Sequence, residues 1–285
     1  MAAVLWSLLV VAIAWASLAG LGALRWRRAS ERLHAGLDGA RREPVPGRVD
    51  FGELVDLPEP VQRYFRTVLT DGAPLVTAVV MTHRGTFDMG ETSVRWKPFT
   101  SSQRVVTQSP GFVWNGAVVM LPGLIVRVHD AYVGGEGLLH AALLGLVPVA
   151  DVRGRGIAAG ELMRFLAEAA WYPTALLPSQ GVRWQAIDER SARATLEDRG
   201  VRATMTFRFG ADGLIESVRA DARGRTVRGE VVPTPWEGRW SNHALRDGMR
   251  VPLTGEVAWL LPEGDKPYWR GTIESLRYEF AAARA

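Results

Sequence analysis

The sequence of 285 residues contains no cysteine, and this absence removes several kinds of chemistry at once. Disulfide bonds, zinc sites built from thiolates and cysteine nucleophiles are all excluded. The five histidines, at positions 34, 83, 129, 140 and 243, are scattered and do not follow the HxH or HExxH spacing of metal-binding motifs. The sequence therefore predicts no metal site and no cofactor, and a histidine-based site would have to be assembled by the fold.

Motifs for phosphate binding and serine hydrolysis are also missing. Gly134-Gly135-Glu136-Gly137 lacks the Gly-Lys-Ser/Thr ending of a phosphate loop, so we interpret it as a turn. Ser179 and Ser191 lack the GxSxG surroundings of a hydrolase nucleophile. Because no catalytic motif is found, the sequence assigns no catalytic residue and favours a non-enzymatic role.

Excess positive charge is missing from most of the chain, although the formal net charge is +4. Seven arginines against three acidic residues between Arg25 and Arg48 account for all of it. A nucleic-acid groove needs a basic patch on the folded domain, which these totals do not supply. Nucleic acid is therefore not a predicted partner, and the basic segment is expected to meet anionic lipid head groups.

A long hydrophobic run stands at the N-terminus. The residues from Ala2 to Leu24 are uncharged and mostly apolar, and Arg25-Trp26-Arg27-Arg28 follows at once. A helix of about 20 residues crosses the roughly 30 Å hydrocarbon core of a bilayer, so we predict a single transmembrane anchor over 1–24. The alternative is a cleaved signal peptide, although no basic residue precedes the run as it does in such peptides.

The arginines that follow the run predict its orientation. Loops rich in arginine tend to stay in the cytoplasm, so we expect an outside N-terminus and a cytoplasmic globular domain in a single-pass protein of the cell membrane. The alternative is an exported domain, because a long folded domain can be translocated regardless of flanking charge. We predict a basic juxtamembrane segment and linker over 25–55, and one β-rich domain over 56–285.

The apolar pattern in this domain alternates between helical and strand spacing. Helical spacing predicts helices from about Pro58 to Leu69 and from about Ala158 to Tyr172. Strand segments are predicted over 76–88, 93–96, 104–108, 112–120, 124–133, 201–209, 218–222 and 249–259. The order of helix, meander, helix, meander, with about ten strands, predicts an α+β fold that is mostly antiparallel β. We expect a curved sheet, a half-barrel or open barrel, wrapped around helices and preceded by one transmembrane helix.

Charged residues on the second predicted helix suggest a site. Glu161, Arg164 and Glu168 have i, i+3, i+7 spacing, and Trp171 lies on the same side. This face is either a solvated row of ion pairs or the wall of a cleft in which Arg164 meets an anionic head group. Trp171 favours the enclosed arrangement, because a fully solvated tryptophan beside charges is unusual.

Asp130 falls on the apolar side of its predicted strand, while His129 points to the other side, so the two do not form a catalytic dyad. A buried carboxylate needs a partner or a raised pKa, and a structural salt bridge is the simpler explanation. Eight tryptophans of the domain suggest aromatic walls, although indoles more often fill a core. The candidate ligand-binding residues are Arg164, Glu168, Trp171, Tyr172, Asp130 and Trp236.

Five sequence motifs occur in a recognisable order: LPEPVQRYFR (57–66), PGFVWNG (110–116), DAYVGGEG (130–137), RFLAEAAWYPTALLP (164–178) and VPTPWEGRW (232–240). Together they resemble a bacterial domain family whose members carry an N-terminal membrane span. The resemblance covers approximately Leu57 to Phe280 and implies no particular activity. More distantly, the layout is similar to lipoprotein-localisation carriers, which hold acyl chains in a half-barrel, and this similarity rests on architecture alone.

The leading hypothesis is a membrane-anchored, non-catalytic domain that binds a lipid or another amphipathic small molecule in the concave face of its sheet. Membrane lipids are thus the predicted partners. One alternative is an acid–base enzyme, a hydrolase or isomerase, that uses Glu168, Asp130 and Asp188. Another is a structural subunit of a membrane complex, which would expose an apolar patch.

Overall fold

The computed structural model describes residues 1–42, 47–90, 93–227 and 230–282. Positions 43–46 of the predicted linker and 283–285 at the end of the predicted domain lie outside the described residues. Within these ranges the helices are α1 (Ala2–Gly39), α2 (Glu59–Val68) and α3 (Arg155–Glu168), with short 3-10 helices at Phe51–Leu54, Ala169–Trp171, Pro173–Leu176 and Pro178–Gln180.

Thirteen strands of the described chain form one antiparallel sheet. They are β1 (Val76–Asp88), β2 (Trp96–Val106), β3 (Gly111–Leu121), β4 (Leu124–Val133), β5 (Glu136–Leu143), β6 (Val147–Gly154), β7 (Arg183–Asp188), β8 (Ser191–Asp198), β9 (Val201–Phe209), β10 (Ile215–Val227), β11 (Glu230–Arg246), β12 (Met249–Leu261) and β13 (Gly264–Phe280). Their spatial order is β6-β5-β4-β3-β2-β1-β13-β12-β11-β10-β9-β8-β7. Two meanders, β1–β6 and β7–β13, are therefore joined by pairing between the first and the last strand.

The sheet curls around helices and does not close. Neighbouring strands are rotated relative to one another, so a sheet of this width curves strongly. Helix α3 lies in the concave face and contacts β4 and β5 of one meander as well as β9 and β10 of the other. Helix α2 covers another part of this face, where Phe65 meets the edge of Trp184 at 6.4 Å between ring centres. The predicted fold class, a mostly antiparallel open barrel wrapped around helices and preceded by an apolar helix, is confirmed.

The two parts of helix α1 have different surroundings. Its N-terminal part includes an 18-residue apolar stretch that is not buried in the protein and is long enough to cross a membrane, a test that a signal sequence also passes. Its C-terminal part packs on the convex face of the sheet, where Trp26 stacks on His129 with ring centres 4.0 Å apart and donates to Asn115 Oδ1 at 2.9 Å. Much of the predicted juxtamembrane segment thus lies against the domain, while the boundaries at residues 24 and 55 stay predictions.

The prediction of two separate strands over 93–96 and 104–108 is wrong. They belong to one strand, β2, which runs from Trp96 to Val106. Phe99, Ser101, Gln103 and Val105 share its concave face and are all buried. The polar members of this row interrupt the apolar pattern, because Gln103 donates to a carboxylate on α3 rather than packing against hydrocarbon.

In the strand predicted over 218–222, regular alternation would bury Val218, Ala220 and Ala222 on one face, but Ala222 is exposed. Ala220 pairs with Trp236, and Arg223 pairs with Thr234, so β10 carries one extra residue between these two pairs. A bulge of this kind shifts the following side chains to the opposite face of the sheet. Arg223, which follows this bulge, therefore faces the concave side.

Candidate ligand-binding cavity

A cavity of about 640 Å³ lies between α3 and the concave face of the sheet. Pockets of roughly 300–1,000 Å³ commonly hold small-molecule ligands. Tyr172 does not line this cavity, because its ring is buried in the core and its hydroxyl donates to the carbonyl oxygen of Phe165 at 2.8 Å. The other five predicted site residues line it together: Arg164, Glu168, Trp171, Asp130 and Trp236.

Arg164 is the centre of a charged cluster at the bottom of the cavity. Its guanidinium donates to Asp130 Oδ2 at 2.5 Å and to Glu168 Oε1 at 2.7 Å. The three side chains are only 16%, 17% and 11% exposed, respectively. The other carboxylate oxygen of Glu168 accepts from Gln103 Nε2 at 2.5 Å. This helix face is therefore enclosed by the sheet, and Asp130 has the salt-bridge partner that its position on an apolar strand face requires.

The electrostatics of the cluster keep Arg164 charged. Burial opposes its charge, but the neighbouring carboxylates of Glu168 and Asp130 raise the pKa of Arg164 above its usual value. The guanidinium also lies over the rings of Phe112 and Trp114, at 4.9 and 5.3 Å from their centres. Arg164 therefore contacts aromatic rings as well as carboxylates.

Glu161 adds a third acidic group to the cavity. Burial raises its pKa well above the usual value, and the neighbouring Asp130 carboxylate raises the pKa of Glu161 further, because two close negative charges repel each other. Among the described residues, Glu161 Oε2 and Asp130 Oδ1 are buried without a donor of their own. A proton held by Glu161 lets it donate to Asp130, which satisfies both groups.

Tryptophans form the walls, and glycines make room for them. Trp114, Trp236 and Trp269 are each followed two positions later by a glycine, which shares the same strand face. A Cβ atom on Gly116 would lie 2.1 Å from Trp114 Cη2, and one on Gly271 would lie 2.3 Å from Trp269 Cζ2. The absent side chains let the indoles lie flat on the sheet and leave the space above them open. This repeated W-x-G pattern is a signal that could have identified the walls from sequence.

The bulge in β10 brings two further arginines to the cavity, and sequence reasoning missed both. Arg223 lies over Trp236 at 5.2 Å from the ring centre, and Arg225 lies over Trp259 at 6.0 Å. Arg223 also donates weakly to the Tyr268 hydroxyl at 3.4 Å. No carboxylate among the described residues lies within the 4.0 Å salt-bridge distance of either guanidinium. Nothing in the sequence marked this bulge.

Three indole N–H groups of the cavity also lack an acceptor. Trp114, Trp171 and Trp240 all line the cavity and are buried. Their Nε1 atoms have no hydrogen-bond partner within the part of the chain that the structure describes. Leaving a buried donor unpaired costs about 1–3 kcal/mol, but these Nε1 atoms expose almost no surface to the cavity, so they do not face a ligand bound there.

An acid–base enzyme would require Glu168, Asp130 and Asp188 to share one cavity, and only two of them do. Glu168 and Asp130 line the same cavity, but both are paired with Arg164. Asp188 ends β7 on an exposed turn and does not line the cavity. The described ranges contain no group of three or more histidine or acidic side chains that could hold a metal ion.

Comparison with known proteins places the chain in a family. The model of a family of unknown function, DUF6920, matches residues 55–278. The chain belongs to this family. The predicted resemblance to a domain family is thereby confirmed. None of the curated proteins compared with the chain matches it.

Two solved structures are similar to this DUF6920 protein. A LolA superfamily protein from Nitrosomonas europaea has 9% identity and a TM-score of 0.39, and the match covers 77% of this chain and 92% of that protein. A β-barrel-like protein of the DUF1849 family from Brucella abortus has 11% identity and a TM-score of 0.26, with 72% and 99% covered. Values this low carry no argument about function.

The DUF6920 match runs from the residues just before α2 almost to the end of β13. It therefore includes both meanders, α3 and every residue that lines the cavity. Helix α1, with its apolar run, precedes the matched region.

Proposed function

We propose that this DUF6920 domain binds an amphipathic ligand with an acidic head group in its concave cavity, next to a membrane. The observation that carries the proposal is a surplus of hydrogen-bond donors in the cavity. Arg223 and Arg225 line the cavity and have no ion-pair partner among the described residues. A carboxylate or phosphate head group supplies the acceptors and the charge that these groups need.

The walls of the cavity suit the apolar part of such a ligand. Val128, Leu139, Val257, Trp259 and Trp269 line it beside the charged groups. Apolar walls with a few placed polar groups are the usual form of sites for small amphipathic molecules. A purely polar ligand would leave these side chains in contact with polar atoms and is disfavoured.

The same geometry favours Arg223 over Arg164 as the residue that meets the head group. Arg164 is already neutralised by two carboxylates at 2.5 and 2.7 Å, so an anion there would compete with both. Arg223 is held by one weak hydrogen bond to Tyr268 and by its contact with Trp236, and its charge also acts on the neighbouring Glu161 carboxyl. An added anion at Arg223 would displace no carboxylate.

Native mass spectrometry of the full-length protein from mild detergent tests the proposal first. We expect co-purifying lipid, and uptake of added hexadecanoic acid after delipidation. Hexadecanol, which has the same chain without the charge, is expected to bind more weakly. A protein that carries no lipid and takes up neither compound would contradict the proposal.

Two arginine variants on one strand separate head-group binding from general charge effects. Arg223→Ala should weaken hexadecanoic acid about tenfold, which corresponds to about 1.4 kcal/mol, and should leave hexadecanol nearly unchanged. Arg219→Ala is the matched control, because Arg219 lies on β10 before the bulge and is exposed. Equal effects of the two variants on the acid would remove the head-group assignment.

One observation favours an acid–base enzyme as a second candidate. Burial and the Asp130 carboxylate raise the pKa of Glu161, and a carboxylic acid with a raised pKa can act as a proton donor. If the cavity processes its ligand, prolonged incubation should change the mass of the bound molecule. Glu161→Gln should abolish that change without preventing binding, and an unchanged ligand mass in the wild type would count against catalysis.

A further inference from the structure

Two hairpin turns at one end of the sheet consist entirely of apolar residues. In an antiparallel meander successive turns lie at opposite ends, so the strand ends that meet at the β1–β2, β3–β4, β5–β6, β8–β9, β10–β11 and β12–β13 connections share one end of the sheet. At this end, Leu121-Pro122-Gly123-Leu124 and the run from Leu143 to Val149 are entirely apolar. The β8–β9 turn at the same end reads DRG, and the β2–β3 and β11–β12 turns at the other end read TQSP and RDG.

Helix α1 runs along the convex face toward the apolar turns. Leu37 packs near the polar end, against Val106 and Val113 at the β2–β3 turn. At the other end, a Cβ atom on Gly22 would lie 2.0 Å from the Leu144 carbonyl oxygen, so helix and β5–β6 turn are in close contact. The apolar run of α1 thus leaves the sheet at the end that carries the apolar turns.

The β3–β4 turn contacts the apolar run of α1 at a position closer to the N-terminus. A Cβ atom on Gly123 would lie 3.3 Å from Trp15 Cζ2. At a rise of 1.5 Å per residue, Trp15 stands about 13 Å along the helix from Leu24, the last residue of the apolar run. This depth is a little less than half of a hydrocarbon core of roughly 30 Å.

The cavity opens at the same end. Phe87 and Gly90 lie beside the β1–β2 turn, Val227 beside the β10–β11 turn and Lys266 beside the β12–β13 turn, and all four line the cavity. The charged cluster on α3 lies deeper, away from these turns.

We propose that the β3–β4 and β5–β6 turns insert into the leaflet that α1 enters and hold the mouth of the cavity against the bilayer surface. The continuity of these turns with the apolar run identifies lipid as their surroundings. Leu121 is 60% exposed, and Val147 and Val149 are 59% and 60% exposed, so their side chains are available to hydrocarbon. A lipid could then pass between bilayer and cavity without crossing water. This arrangement does not depend on which ligand binds.

Spin labels on single cysteines test the arrangement in the full-length protein, and the absence of native cysteine makes the labelling specific. Leu121→Cys reports on the β3–β4 turn, and Val149→Cys is a second position in case the first variant does not fold. Leu245→Cys is the matched control, because Leu245 is 63% exposed and lies beside the β11–β12 turn at the opposite end. The labelled proteins are reconstituted into vesicles of phosphatidylcholine and phosphatidylglycerol.

Oxygen concentrates in hydrocarbon and a nickel chelate stays in water, so their relaxation effects report the surroundings of each label. We expect the ratio of oxygen effect to nickel effect at Leu121 and Val149 to exceed that at Leu245 several-fold. Equal ratios at all three positions would overturn the inference. Labels at Leu121 and Val149 that are shielded from both reagents would also overturn it, because a protein partner would then cover the turns. Failure of hexadecanoic acid to bind would leave these ratios unchanged, so the two proposals fail separately.

Discussion

Removing the Arg164 side chain should destabilise the domain far more than removing an exposed arginine with the same helical pairing. Arg164→Ala leaves Asp130 and Glu168 without their common partner, at side-chain exposures of 17% and 11%. Breaking a buried ion pair by deleting one partner typically costs about 3–5 kcal/mol. For a domain of this size, the expected drop in melting temperature is about 6–20 °C.

Arg63→Ala is the matched control for this measurement. Arg63 pairs with Glu59 at 2.7 Å with the same i, i+4 spacing, but the two side chains are 36% and 70% exposed. Exposed pairs contribute about 0–1 kcal/mol, so its melting temperature should change by at most about 4 °C. Arg164→Met, which keeps most of the aliphatic stem, separates the lost charge from the lost packing.

Thermal melts of the full-length protein in one detergent, followed by tryptophan fluorescence, measure these differences. In Arg164→Ala the unpaired carboxylates favour protonation in the folded state, so the deficit relative to wild type should shrink as the pH falls. Equal melting temperatures for Arg164→Ala and Arg63→Ala would refute the reasoning, and so would a deficit that does not depend on pH.

Three further predictions concern other parts of the molecule. Because the folded-state pKa of Glu161 is raised, wild-type stability should fall as the pH rises from about 4.5 through that pKa, and melts of Glu161→Gln over the same pH series should lack this loss. Gly22→Ala should lower the melting temperature of the full chain, since its Cβ would meet the Leu144 carbonyl oxygen, whereas Gly20→Ala, with open space around it, should not. A green fluorescent protein fused after Ala285 should fluoresce if the arginine flank sets the orientation, and an active alkaline-phosphatase fusion at the same point would show an exported domain.

The parts of the fold that local pattern predicts are those with one polar face. β9, in which buried residues alternate with more exposed ones, begins and ends at the predicted residues, and α2 differs by one residue at each end. β5 was missed because both of its faces are covered: Leu139 lines the cavity, while Leu138 packs under α1 on the convex side. A strand that is covered on both sides does not alternate between apolar and polar residues. On β5 the second cover is helix α1, whose position the local sequence pattern does not show.

Some residues of the candidate site could be predicted from local spacing, and others could not. Helical spacing was enough to bring Arg164, Glu168 and Trp171 to one face, and strand alternation was enough to bring Asp130 opposite them. Arg223 could not be assigned, because one extra residue in β10 reverses the face of everything that follows it. Pairing across strands decides such positions, and pairing is not visible in local spacing.

The pairing of β1 with β13 also sets the order in which this protein can fold. Val76 pairs with Phe280, so the edge of β1 has no partner until the last strand has been synthesised. At about 5–20 residues per second, the roughly 190 residues between the end of β1 and the end of β13 require about 10–40 s. During this interval the first meander exposes an unpaired edge, and such edges template aggregation. A chain that stops after β12 would keep that edge permanently, so we expect truncation before Gly264 to give aggregates even though every residue that lines the cavity except Lys266, Tyr268 and Trp269 is still present.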